Sequence, residues 1–308
     1  YWCVFLTKNI RIEGFVLTRK QAHFWNELYL NGLGEFFYDM QLDFRDLIAF
    51  PYDDSIAMPV PARFERPARA LLLNGAGKDS ILSAEMLKAS GTAFDFFSFA
   101  PTPAHMRIAG LVGAKTNRVN RRRDSRLELI TRFYGISNAY PSVSTFTFIA
   151  ALLAELVGYD SIIFSNERSA DFGNLTYLGL LVNHQWCKSS EAEKLVNDYI
   201  QCFITPDIST KSLLREYSEL EIVRRFVCYP QYLRHVTSCN TYFWLPRFAQ
   251  HLTRRGYWCK QCPKCIFLFV PNCTGPEVKA KRVWSLPIET FWPAITSVPR
   301  CRIKTEPA

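Results

Sequence analysis

The chain has no apolar run long enough to cross a bilayer. Its longest, Phe146 to Val157, is broken by Glu155 and falls short of the ~20 residues a spanning helix needs. It has no Gly-x-Ser-x-Gly elbow and no His-Glu-x-x-His helix, which excludes hydrolases of those two types. No internal repeat is present, so repeat architectures drop out. A secretory signal pattern is also missing, but the chain opens at Tyr1 rather than at Met, so that absence excludes nothing. The one compact basic cluster, Arg121-Arg122-Arg123, lacks interleaved aromatic residues and is followed by Asp124. It reads as a solvated loop or helix start, not as an RNA platform.

What is present is ordinary globular material, with 308 residues, 48% hydrophobic and 21% charged, enough for one large domain or two modest ones. The net charge of +9 fits either a phosphate-rich partner or a generally basic surface. Residues 1–67 read as a lead-in, with apolar alternation near Cys3–Leu6, an amphipathic helix at Gln21–Leu30 and a Pro-rich linker from Pro59 to Pro67. Over residues 68–228 strands and helices alternate. The strand candidates are Ala70–Leu73, Phe94–Phe99 and Ser161–Ser165, and the helix candidates are Ser80–Lys88, Ser144–Val157 and Glu191–Phe203. Short apolar strands separated by helices predict an α/β fold, a parallel sheet covered on both faces. Ligands of such sheets bind beyond the carboxyl ends of the strands. Residues 229–270 turn Cys-, aromatic- and Pro-rich, as expected of a small metal-stapled module, and 271–308 remain an unassigned tail.

The run Leu71-Leu72-Leu73-Asn74-Gly75-Ala76-Gly77-Lys78-Asp79-Ser80 is the most informative segment. Three leucines form a strand, and Gly75 and Gly77 make a turn that lets backbone approach a ligand. Asp79 and Ser80 open a helix whose first N–H groups, at the positive end of the dipole, suit an anion, and Lys78 adds a positive charge. The spacing is not that of a Walker A loop. An ordinary strand-to-helix turn is the plain alternative.

Ten cysteines are unevenly placed, which does not suit a secreted disulfide framework. Cys259, Cys262 and Cys265 stand at two-residue gaps, with nineteen residues between Cys239 and the first. Four thiolates leave no open position for water, so the expected metal is structural Zn²⁺; Cys273 is a reserve ligand. The segment Ser165 to Asn174 follows a strand and is dense in polar groups. Glu167 and Asp171 are candidates for Mg²⁺ binding or proton transfer, and Arg168 for phosphate or carboxylate. Against this stands a loop in which Glu167 simply pairs with Arg168. His184, flanked by Asn183 and Gln185, is a further candidate, although a lone histidine is more often structural.

Gly-x-Gly-Lys-Asp-Ser resembles the pyrophosphatase loop of the PP-loop ATPases. Several segments in one order resemble the UDP-N-acetylmuramoyl-L-alanyl-L-glutamate epimerase (MurL) family. They are Leu28 to Phe36, Asn166-Glu167-Arg168-Ser169-Ala170 with Gly173-Asn174, Val182-Asn183-His184-Gln185 with Lys188-Ser189, Leu213 to Leu220, Ser238-Cys239-Asn240, and Trp258-Cys259 through Phe267. The match runs from about Asn26 to Phe269. The resemblance implies a PP-loop (adenine nucleotide alpha hydrolase-like) domain with a small Cys₄ zinc module. It further implies a cytoplasmic isomerase that uses ATP and Mg²⁺, releases AMP and pyrophosphate, and inverts the terminal L-glutamate of a UDP-sugar peptide in peptidoglycan synthesis. Its partner is then that small molecule, with no membrane and no nucleic acid. Under this resemblance Gly75, Gly77, Lys78, Asp79 and Ser80 hold the ATP phosphates, with Asp79 near Mg²⁺. Asn166, Arg168 and Asn174 line the nucleotide or substrate edge, and Glu167 and His184 are candidates for proton transfer.

The chain also departs from the family. Ala76 stands where the loop usually carries the middle of three glycines; if that position requires φ > 0, alanine costs about 1 kcal/mol or more. Asn138-Ala139-Tyr140 stands where Asn-Gly-His is usual, and Asp171-Phe172 replaces a small or polar residue and Glu. Two other readings therefore stay open. A PP-loop enzyme that adenylates a different acid or an RNA base is one, and RNA binding would show steep salt dependence. A non-catalytic nucleotide-binding member is the other, and it would bind ATP without releasing AMP.

Overall fold

The computed structural model describes residues 9–122 and 140–233 continuously, plus single positions at 124, 126, 129, 133, 235, 236, 239, 264, 265 and 267. The apolar alternation near Cys3–Leu6, Cys259, Cys262 and the tail 271–308 lie outside the described residues. The chain divides into two compact units, Tyr1–Ile222 and Val223–Ala308.

Five parallel strands form the main sheet of the first unit: β1 (Ala70–Leu73), β2 (Phe94–Phe99), β3 (Thr116–Val119), β4 (Ser161–Phe164) and β7 (Ser209–Ser212), in the order β3-β2-β1-β4-β7. Leu71, Leu72, Ile162 and Ile163 in the two central strands are at most 1% exposed, as strands covered on both faces require. The outer strands Thr116–Val119 and Ser209–Ser212 are polar, so they carry no apolar signal in the sequence. A short antiparallel hairpin, β5 (Leu175–Tyr177) and β6 (Leu180–Val182), stands apart from this sheet.

Among the described residues the continuous helices are α1 (Arg19–Gly32), α2 (Gly34–Asp39), α3 (Lys78–Ala89), α4 (Pro103–Val112), α5 (Ser142–Val157), α6 (Ser190–Phe203) and α7 (Glu219–Phe226). Thr18 starts α1 with a reciprocal capping box to Gln21. Phe24 and Leu28 of α1 enter the same core as Ala150, Ala151 and Ala154 of α5 and Ile200 of α6. Phe24 lies 4.1 Å, ring centroid to ring centroid, from Tyr199. The lead-in helix is thus built into the α/β unit. Gly32 ends α1 against Pro141; a Cβ there would sit 2.8 Å from the proline ring.

The edge of the sheet opposite the carboxyl ends is tied by a buried network. The Tyr159 hydroxyl donates to Asp95 (2.6 Å), accepts from Asn117 (2.7 Å), and lies beside Arg69, which pairs with Asp95. Burial and the Asp95 carboxylate push the Tyr159 pKa up to about 12. Because the folded chain holds this proton more tightly than the unfolded one, stability should fall as pH rises from about 10 through about 12. Tyr159→Phe should remove that alkaline limb and cost about 1–2 kcal/mol at neutral pH. Urea melts at pH 7 and at pH 11 on both chains test the two effects.

Candidate active site

The strand order reverses between β1 and β4, so the loops leaving their carboxyl ends flank the crevice where such sheets bind ligands. The first of these is the glycine loop. Ala76 has φ +54, in the left-handed region, so the conformation that the sequence made a condition is present. Asn74 holds this turn, accepting from the Ala76 amide (2.8 Å) and donating to the His105 carbonyl (3.2 Å). Ala76→Gly would remove left-handed strain of about 1–2 kcal/mol while adding freedom to the unfolded chain worth about 0.4–1 kcal/mol. Its stability should therefore rise by no more than about 1.6 kcal/mol, measured as a shift in urea midpoint.

Gly77 is the N-cap of α3, and no side chain caps the helix there. A Cβ built on Gly75 meets nothing within 4 Å. The uncapped amides and the open space over Gly75 fit a phosphate group. Ser80 turns its hydroxyl back to the Gly77 carbonyl (3.1 Å). Lys78 is 4% exposed and its ammonium touches Asp79 (2.7 Å) and Glu219 (3.5 Å). Burial pulls the ammonium down, but the two carboxylates outweigh it and leave its pKa above the ordinary lysine value.

The second loop follows β4 and is joined to α3 by the Ser165–Ser83 hydrogen bond (2.8 Å). Glu167 does not pair with Arg168. Its carboxylate accepts from the Ser169 amide (3.0 Å) and the Ser169 hydroxyl, capping a 3₁₀ turn over Arg168–Asp171. Arg168 is exposed, and its amide donates to the Tyr217 carbonyl (3.1 Å). The Asn166 carbonyl accepts from the Ser212 hydroxyl (2.6 Å). Asp171 caps α6 at the Ser190 amide (2.6 Å).

Arg215 organises this loop from below. Its guanidinium, 15% exposed, donates to the carbonyls of Glu167 (3.2 Å) and Lys188 (2.8 Å), and pairs with Glu193 (2.9 Å) and Asp171 (3.5 Å). The Tyr217 carbonyl and Glu219 extend the same segment to the loop and to Lys78. Residues 213–219 thus link the two loops. A cavity lined by Ser144, Asn166, Cys187, Glu193 and Thr210 measures about 10 Å³, room for one water and not for a nucleotide.

His184 follows the hairpin. Its Nδ1 lies 2.6 Å from Glu35 Oε1, and its amide donates to Asn174 Oδ1 (2.7 Å). Asn183 donates to the Ala170 carbonyl (2.8 Å), fastening this stretch to the β4 loop. Tyr140 packs beside the cluster of Leu33, Phe36 and Phe37. Of the cysteine set, Cys239 and Cys265 are buried.

The sequence placed the loop residues but assigned no role to Asn74, Arg215, Glu219 or Glu35. Asn74, two residues before a strained alanine, carried a readable Asx-turn signal. The other three lie within Leu28 to Phe36 and Leu213 to Leu220, segments already singled out in the sequence, but their partners are distant and no local pattern names them.

Residues 1–213 match the family model described as MurL N-terminal domain. A protein of Xanthomonas oryzae pv. oryzae (strain MAFF 311018), named UDP-N-acetyl-alpha-D-muramoyl-L-alanyl-L-glutamate epimerase, is 32% identical over 270 residues, 88% of this chain and 59% of that protein. A protein of the same name from Micromonospora sp. (strain ATCC 39149 / NRRL 15099 / SCC 1413) is 33% identical over 83% of this chain and 56% of its own length. The corresponding protein of Salinispora tropica is 32% identical over 79% of this chain and 52% of its own length. The chain thus spans between half and three-fifths of the curated relatives it matches. Among solved structures, a predicted subunit of a tRNA methyltransferase from Methanocaldococcus jannaschii aligns with 52% of this chain and 75% of its own, at 14% identity and a TM-score of 0.36.

Proposed function

The chain belongs to the UDP-N-acetyl-alpha-D-muramoyl-L-alanyl-L-glutamate epimerase (MurL) family, and from that premise we propose that it inverts the terminal L-glutamate of UDP-N-acetylmuramoyl-L-alanyl-L-glutamate, consuming ATP. The observation that carries the ATP reading is the uncapped start of α3 behind Gly75, with the buried Lys78 ammonium beside it. Those amides and Lys78 would hold the phosphates of ATP as a substrate. Asp79 is the residue that would hold Mg²⁺, which supplies neutralising charge to the phosphates.

The chemistry explains why ATP is needed. A carboxylate beside Cα makes the Cα–H a very poor acid, because its removal would gather a second negative charge in one place. Converting the carboxylate to an acyl adenylate removes the charge and makes the carbonyl an electron sink. A base then takes the Cα proton, reprotonation on the other face inverts the centre, and hydrolysis releases AMP. His184 and Glu167 are the candidate groups for proton transfer. Glu167 already spends both carboxylate oxygens on Ser169, which favours His184.

Incubation with MgATP and the UDP-sugar dipeptide should give AMP and D-glutamate together. AMP without D-glutamate would point to another acyl acceptor, and ATP binding with neither product would point to a non-catalytic nucleotide-binding protein. We also propose that Cys239, Cys259, Cys262 and Cys265 hold one structural Zn²⁺. Metal analysis should find about one zinc per chain, and its removal by a chelator should lower the melting temperature. A zinc-free, fully folded chain would contradict that assignment.

A further inference from the structure

We infer that Glu35 is a positioning residue for His184, and that the two form the proton-transfer pair at the glutamate Cα. The inference rests on the epimerase reading above and adds to it a residue from the amino-terminal segment. The two residues stand 149 positions apart, yet Nδ1 and Oε1 meet at 2.6 Å.

Both partners are held by their backbones. On the histidine side, Asn174 accepts from the His184 amide at 2.7 Å while its own amide donates to the Val182 carbonyl at 2.7 Å. Asn183, next in the chain, is fastened to the Ala170 carbonyl. On the other side, Glu35 sits between Gly34, packed against Leu180 and Val182, and Phe36, which is fully buried. Helix α2 therefore presents the carboxylate at a fixed place on the hairpin.

The chemistry follows from the ring nitrogens. An ionised Glu35 favours the tautomer with its proton on Nδ1, which leaves Nε2 as the acceptor. The His184 side chain is 66% exposed and that of Glu35 30%, so the ring is open to a substrate while the carboxylate is half covered. In the step, the Cα–H bond breaks and an N–H bond forms at Nε2. The electron pair of the C–H bond moves into the carbonyl of the adenylated glutamate. Glu35 stabilises the imidazolium, a water reprotonates Cα from the opposite face, and the imidazolium returns its proton to solvent.

The test measures two reactions on the full chain in deuterium oxide: substrate-dependent exchange of pyrophosphate into ATP, and deuterium wash-in at the glutamate Cα. The ratio of wash-in to exchange should fall about 100-fold in His184→Asn and about 10-fold or more in Glu35→Gln. Glu35→Asp should recover part of it. A ratio unchanged in Glu35→Gln overturns the inference, and so does a fall in both reactions in step with a lowered melting temperature. An unaltered chain that shows no exchange would overturn the adenylation reading and this inference with it. Intact exchange with wash-in insensitive to both residues would overturn the pair alone.

Discussion

Lys78→Met is expected to lose AMP release by about 100-fold or more, because it removes a preorganised cation from the phosphate site. The same change should also destabilise the chain by about 1–2 kcal/mol at neutral pH. Asp79 and Glu219 both direct carboxylates at the Lys78 ammonium, and methionine would remove the cation they share. The pH dependence separates this from lost packing. The folded-state pKa of Lys78 lies above its ordinary value, so its stabilising contribution is complete at neutral pH and is lost only as pH rises through that raised value. The gap between the variant and the unaltered chain should therefore be steady from pH 6 to 9. It should narrow only in strong alkali, as Lys78 loses its proton. Urea titrations from neutral pH into strong alkali read it directly, and a gap that persists undiminished there would assign the loss to packing.

Arg215→Ala is expected to give the largest loss of stability, about 3 kcal/mol. The side chain is 15% exposed and serves two backbone carbonyls and two carboxylates. Its removal leaves Glu193, 17% exposed, without its cation, the situation in which a broken buried pair is most costly. For a unit of this size that corresponds to a fall in melting temperature of about 6–12 °C. Arg215→Lys should recover only part of it, since an ammonium lacks the fork that reaches Glu167, Lys188 and Glu193 together. Because Arg215 holds the Glu167 carbonyl, activity should fall further than the melting temperature alone accounts for. An Arg215→Lys chain with the original melting temperature and turnover would contradict the role given to the fork.

Much of this architecture was legible in the sequence because burial leaves a mark on residue choice. Ala70–Leu73 and Phe94–Phe99 were read with the boundaries they have, since central strands of a parallel sheet need apolar side chains on both faces. Thr116–Val119 and Ser209–Ser212 were missed for the complementary reason, being polar strands at the two edges. Helix α4 is marked in the sequence by its start signal, Thr102 and Pro103. The candidate site divides in the same way. The glycine loop is a contiguous motif and announces itself. Arg215, Glu219 and Glu35 lie inside segments that resemble the family, but they take their meaning from partners 22 to 149 residues away, which no local pattern names. In place of the Glu167–Arg168 pair expected of an inert loop, the Glu167 carboxylate caps the Ser169 amide, since a carboxylate at the start of a 3₁₀ turn finds its nearest unpaired donor in the backbone.

The central claim is that the glutamate carboxylate is adenylated before its Cα is inverted. It is tested most directly by substrate whose terminal glutamate carboxylates carry oxygen-18, turned over with unlabelled ATP. Attack of that carboxylate on the α-phosphorus, followed by hydrolysis at the acyl carbon, leaves one labelled oxygen in AMP. The account predicts labelled AMP formed together with D-glutamate. D-glutamate accompanied by unlabelled AMP, or formed with no AMP at all, would contradict it.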